Sequence, residues 1–222
     1  MPTAAEWTAL RLSALVGLAA VVLVLPPAAL AGHLLATRTF RGKALVETLL
    51  LLPLVLPPVV TGYALLVLFG HRGPLGGALA SLGVPVVFTW RGCVVASAVM
   101  SFPLAYRACR TAFEGVDPRL AGVARTLGAS RLDAFATVTL PLAKGGLLAA
   151  AVLAFARSVG EFGATIVLAG NIEGETRTLP VAVFQQIQSA GGEGVVRLAA
   201  LSVVLAVGAL AASEVLARRS RR

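Results

Sequence analysis

The length of the apolar runs constrains this chain more than any other feature. Stretches at about 10–36, 44–70, 86–108, 146–170 and 196–217 are almost free of charge. Each reaches the roughly 17–25 residues that a helix needs to cross a bilayer. In hydrocarbon every backbone N–H and C=O must find a partner within the protein, so runs of this length fold as helices. The expected fold class is all-α: a polytopic membrane protein with about five transmembrane helices, forming a single domain over residues 1–222. Only 13% of the residues are charged and 58% are hydrophobic, whereas a soluble domain carries about 25% charged residues. Prolines 26, 27, 53, 57, 58 and 103 fall within the runs, which a membrane bundle tolerates because neighbouring helices satisfy the freed carbonyls.

Orientation follows from the basic residues. Arg38, Arg41 and Lys43 follow the first run; Arg107, Arg110, Arg119, Arg125, Arg131 and Lys144 follow the third; Arg218, Arg219, Arg221 and Arg222 end the chain. With five crossings these 13 of the 19 basic residues share one side, which is then cytoplasmic. The N-terminus is expected outside and the C-terminus in the cytoplasm. A cleaved signal peptide ending at Ala29-Leu30-Ala31 is the rival reading. It is disfavoured because Glu6 offsets Arg11 and because cleavage would strand the Arg38–Lys43 cluster outside. The net charge of +9 reports orientation here, not nucleic-acid binding. Cys93 and Cys109 are isolated thiols without metal-ligand spacing.

Residues of about 109–145 interrupt the hydrocarbon. Asp117-Pro118 reads as a helix N-cap with proline at the first helical position. Leu120, Val123, Ala124 and Leu127 then recur on one helical face, and Gly128 stands where a left-handed C-cap belongs. Ser130 and Asp133 open a second short helix, expected to run to Thr139 before Leu140-Pro141 turns the chain. A DNA-binding helix-turn-helix is disfavoured, because loops this short cannot follow a groove. Physics alone leaves two readings open: an interfacial helix pair on anionic lipid, or a docking knob whose apolar face a soluble partner buries.

The loop resembles the cytoplasmic signature of ABC-importer permeases, E-A-A-x-x-x-G followed after nine residues by I-x-L-P. Here it aligns as Gly122-Val123-Ala124, Gly128 and Val138-Thr139-Leu140-Pro141, with Gly122 in place of the Glu and Val138 in place of the Ile. The resemblance implies the MetI-like permease fold and makes this loop the coupling segment that seats in an ATPase subunit. Leu120, Val123, Ala124, Leu127, Gly128, Ala129, Leu140 and Pro141 are its candidate residues.

A second unusual segment runs from Phe155 to Pro180. Arg157 and Glu161 stand at i and i+4 in an apolar run, where ionisable groups face the bundle interior and pair. Two readings stay open: a packing device, or the lining or gate of a path for a charged solute, with Gly163, Thr165 and Asn171 as further candidates. Leu179 to Ile187 reads as a short re-entrant or surface helix before the last span. Gly160-Glu161-Phe162-Gly163-Ala164 is similar to the oxyanion permeases for molybdate, tungstate and sulfate. Asn171-Ile172, Gly174 through Pro180, Ser213-Glu214 and Glu47 through Val59 with Gly62-Tyr63 resemble the molybdate branch. The resemblance implies a homodimer, two ABC ATPase subunits that bind ATP and Mg, and an extracytoplasmic molybdate-binding protein. No cofactor is expected in this chain.

Nothing in the sequence points to an enzyme. There is no G-x-x-x-x-G-K-[ST] for ATP, no H-E-x-x-H and no G-x-S-x-G, and His33 and His71 are isolated. A self-contained secondary transporter would show a duplicated half with paired broken helices; the interrupting loop occurs once. A membrane anchor for a signalling partner would leave Arg157 and Glu161 without a task.

Overall fold

The computed structural model describes residues 3–189 and 192–220. Arg221 and Arg222 lie outside the described residues, as do the side chains of Ser213, Glu214, Arg218 and Arg219. Eleven helices follow one another: α1 Ala4–Thr37, α2 Lys43–Val55, α3 Pro58–Phe69, α4 Gly76–Ser81, α5 Trp90–Glu114, α6 Pro118–Thr126, α7 Arg131–Ala134, α8 Leu140–Val159, α9 Gly163–Leu168, α10 Leu179–Gln188 and α11 Gly192–Ser220. No strand occurs among the described residues.

The core is the three-helix packing of α1, α5 and α8. A stripe of small and branched residues on α1 (Val16, Ala20, Val24, Ala28, Gly32 and Leu35) is buried at near-regular fourth-residue spacing. Their slight side chains let the backbones approach, which is how helices associate where lipid removes the hydrophobic drive. A Cβ on Gly32 would stand 2.8 Å from the Arg110 backbone nitrogen, and one on Gly146 would overlap the Ala112 Cβ. Thr3 and Glu6 begin α1 with a reciprocal capping box. Glu6 also takes Arg197 of α11 at 3.3 Å, which ties the last helix to the first.

Among the described residues, three helices are long and apolar enough to cross a membrane by themselves: Ala4–Thr37, Trp90–Glu114 and the continuous Arg131–Val159. The expected second span, 44–70, is not straight. It breaks between α2 and α3 with a bend of 108°. Leu56 before Pro57-Pro58 is forced into extended backbone, because a proline ring excludes the α conformation from the residue ahead of it. The third span starts at Trp90, not 86. The last helix, Gly192–Ser220, takes in the whole of the expected fifth run at 196–217. The helix expected from Leu179 is present as α10.

The fourth span differs most from expectation. Leu140-Pro141 does not turn the chain. A five-residue π-helical stretch, Phe135–Thr139, joins α7 to α8 so that helix runs on. The Leu140 N–H bonds five residues back, to the Phe135 carbonyl. Pro141 explains the widening, since in a regular α-helix its ring would press on the carbonyl four residues earlier, and a π turn relieves that contact. At its other end α8 stops at Val159, and the chain turns at Gly160 into the short α9, well before residue 170.

Candidate functional site

The interrupting loop is built from local signals. The Asp117 carboxylate accepts the Arg119 N–H at 2.9 Å and starts α6. At the end of α6 the Gly128 N–H bonds to the Arg125 carbonyl and the Ala129 N–H to the Ala124 carbonyl, both at 3.1 Å. Together these bonds form a Schellman motif, which needs a left-handed residue between them. Gly128 supplies it with φ +100°. Ser130 and Asp133 then form the expected capping box. Leu120, Val123 and Leu127 are exposed, Leu127 by 83%, and Ala124 and Ala129 are half-buried. Leu132, which sequence reasoning missed, adds to this apolar surface at 79% exposure; its signal was its place at the second position of α7, facing away from the buried Ala134. Leu140 and Pro141 are exposed on the first turn of α8, outside the knob itself.

The knob is rooted by an aromatic clasp. The His33 ring of α1 meets Phe113 of α5 edge-on at 5.0 Å and Phe135 of the π stretch at 4.8 Å. The continuous helix from Arg131 to Val159 therefore carries the knob at one end and Arg157 near the other.

Arg157 and Glu161 do pair, at 2.7 Å, with the Glu161 side chain 1% exposed and that of Arg157 27% exposed. Glu161 is not inside a continuous span, however. It lies just past the end of α8, and its second carboxylate oxygen accepts the Ala164 N–H at 2.8 Å. One buried carboxylate thus joins the cationic last turn of α8 to the unsatisfied first turn of α9, which favours an anion. Gly163 is close-packed: a Cβ there would stand 2.7 Å from the Pro58 Cβ, and one on Gly62 would stand 2.8 Å from the Ala164 Cα. The bend after α2 and the break after α8 are therefore packed on each other. Thr165 of α9 and Thr61 of α3 are both buried, and neither hydroxyl has a hydrogen-bond partner among the described residues.

Asn171 does not join this group. Its amide donates to Gln185 at 2.7 Å and its carbonyl accepts from Arg177 at 2.6 Å, while Arg177 pairs with Glu173 at 2.7 Å. The loop then reaches Leu179, whose buried N–H donates to the Ser13 hydroxyl of α1 at 2.7 Å. No group of His, Cys, Asp and Glu able to hold a metal ion occurs among the described residues.

The chain belongs to the binding-protein-dependent transport system inner membrane components, whose model matches residues 28–222. It is therefore an integral membrane protein of a transport system. It is 54% identical to the molybdenum transport system permease protein ModB of Escherichia coli (strain K12), over 97% of this chain and 95% of that one. Against the ModB of Haemophilus influenzae it is 45% identical, over 98% and 96%. Among solved structures it is similar to a bacterial ABC transporter involved in the import of the acidic polysaccharide alginate, with a TM-score of 0.76, 17% identity and coverage of 98% and 80%. At that identity the likeness shows the fold alone.

Proposed function

We propose that this chain is the permease subunit of an ATP-driven importer that moves molybdate into the cytoplasm. The observation that carries the reading is near-complete alignment with the molybdenum permeases at 54% identity. A homodimer forms the path, two ATPase subunits bind the knobs and hydrolyse ATP with Mg, and an extracytoplasmic binding protein delivers the oxyanion. The N-terminus lies outside, and the knob and C-terminus lie in the cytoplasm, as the basic residues require.

A dianion cannot enter a bare ~30 Å hydrocarbon layer, because losing its hydration costs far more than any contact there returns. A polar path must therefore open to one side at a time. In this reading the knob's apolar face, led by Leu120, Val123 and Leu127, seats in the ATPase. The continuous helix transmits its movement to the break at Gly160, where Arg157, Glu161, Gly163 and Thr165 border the path. Asn171 stays with the outer loop, tied to Arg177 and Gln185. The path binds its ion weakly, since a tight site would not release it.

Sulfate or tungstate is the second reading, favoured by the Gly160–Gly163 core, which resembles the oxyanion permeases at large. The test is cellular molybdenum and sulfate uptake at limiting external concentration, with and without this chain. Loss of molybdenum uptake alone is the expected result. Loss of sulfate uptake alone would keep the permease and overturn the substrate.

A further inference from the structure

Helix α2 lies over the core without burying a single residue, and it leaves a groove beside α1. The groove has two parts that share Leu50. One, of about 540 Å³, is walled by Ala31, Leu34, Leu35 and Val46 and has Arg38, Thr39 and Phe40 at its mouth. The other, of about 380 Å³, continues along Leu23, Pro27, Leu49, Pro53 and Phe102 and is apolar throughout. From Thr37 to Leu23, α1 rises about 21 Å, enough to span the ~15 Å hydrocarbon depth of one leaflet.

The mouth is cationic and its charges are available. Among the described residues neither Arg38 nor Arg41 has an acidic partner. The Lys43 ammonium donates to the Arg38 carbonyl at 3.2 Å and stands 4.0 Å from Glu47. Glu47 is itself engaged by Arg110 at 2.7 Å, and Arg110 by Glu114 at 2.7 Å. The acids nearby are thus committed to α5, and the positive charge at the groove mouth is left to a ligand.

We propose that this groove holds an anionic phospholipid, with an acyl chain between α1 and α2 and its phosphate at Arg38, flanked by Arg41 and Lys43. Basic pockets between helices at one membrane face select anionic head groups in this way. A second copy of this chain fits less well: it brings a net charge of +9 to a mouth where the cations already outnumber the one nearby acid, Glu47. The proposal needs only that the chain spans a membrane, so it stands or falls independently of the oxyanion.

The test is native mass spectrometry of the transporter purified with its ATPase subunit. Phosphatidylglycerol and phosphatidylethanolamine of identical acyl chains are added in equal amounts. The expected result is preferential retention of phosphatidylglycerol, reduced about fivefold in Arg38→Gln, the effect of one basic residue at an anionic lipid surface. Val46→Trp, which fills the groove, lowers retention of both lipids. Equal retention of the two lipids by the unaltered transporter, or an unchanged preference in Arg38→Gln, would overturn the proposal. So would efficient disulfide dimerisation of Val46→Cys within the membrane, because a second copy would then cover the groove.

Discussion

The knob and the α8–α9 break use the same local device in opposite surroundings. In both, a helix ends, a glycine turns the chain and an acidic side chain caps the helix that follows: Asp133 with Ser130 after Gly128, Glu161 onto Ala164 after Gly160. At the knob the acid is solvent-exposed, and the apolar neighbours Leu127 and Leu132 point away from the protein. At the break the acid is buried and must bring its own cation. A cap in water fixes only where a helix starts, and the helix then depends on what covers it. A cap in the core must be complete, because an unpaired buried charge costs several kcal/mol. The knob therefore leaves its apolar face uncovered, whereas the break is completed within its own bundle.

Substitution at the knob is expected to have the largest effect on assembly and almost none on folding. Leu127→Asp places a charge on a face that burial would reward by about 1.5–3 kcal/mol per side chain. Co-purification of the ATPase should drop at least tenfold while the thermal midpoint in detergent stays within about a degree, because surface changes alter stability by less than about 0.5 kcal/mol. A large fall in that midpoint would show that Leu127 packs within the chain after all.

Glu161→Ala should behave the other way round. It strips the Ala164 N–H of its acceptor and Arg157 of its counter-charge, a loss of about 2–4 kcal/mol when the cation is partly solvated. Thermal stability and uptake should fall while the ATPase still binds. Glu161→Gln, which retains an acceptor, should recover part of the stability. Full uptake by the glutamine variant would make the pair a packing device with no part in the path.

Gly62→Val probes the contact between the two breaks. Its Cβ would overlap the Ala164 backbone, and overpacking of this kind costs about 1–3 kcal/mol. A stability loss together with protease sensitivity confined to 160–178 would locate the damage at α9. Ser13→Ala should have the smallest effect: it leaves the buried Leu179 N–H without an acceptor, about 1 kcal/mol at the low end for an orphaned donor. A midpoint unchanged in this variant would mean that the outer loop is not held through Ser13.

Much of the knob was legible in the sequence because its signals are local. Asp117-Pro118, Gly128 and Ser130-x-x-Asp133 specify caps whose partners lie within three or four residues, and all three form as read. The straight spans at 10–36 and 86–108 were legible from run length, with ends that moved by a few residues. What escaped were the places where one residue changes the path of a long apolar run. A membrane bundle tolerates proline, and in α1 Pro26 and Pro27 are indeed carried inside the helix. Pro57-Pro58 instead breaks the second run by 108°, and Leu140-Pro141, a turn signal by sequence, widens a continuing helix. Composition does not separate these outcomes; neighbouring helices decide whether a freed carbonyl is satisfied in place or the chain bends. The pairing of Arg157 with Glu161 followed from spacing, but the role of Glu161 as a cap for α9 required knowing that α8 stops at Val159. Asn171 stands near them in sequence, but its bonds go to Gln185 and Arg177 of the outer loop.

In the proposed cycle, ATP hydrolysed by ATPase subunits seated on the knobs moves an oxyanion past the break. The most direct measurement is molybdate uptake into proteoliposomes that contain this chain, its ATPase subunit and the binding protein, with each component omitted in turn. Uptake that requires ATP and all three components, and that disappears in Leu127→Asp, is the predicted result. Uptake that persists without the ATPase subunit would contradict the account and make this chain a transporter in its own right.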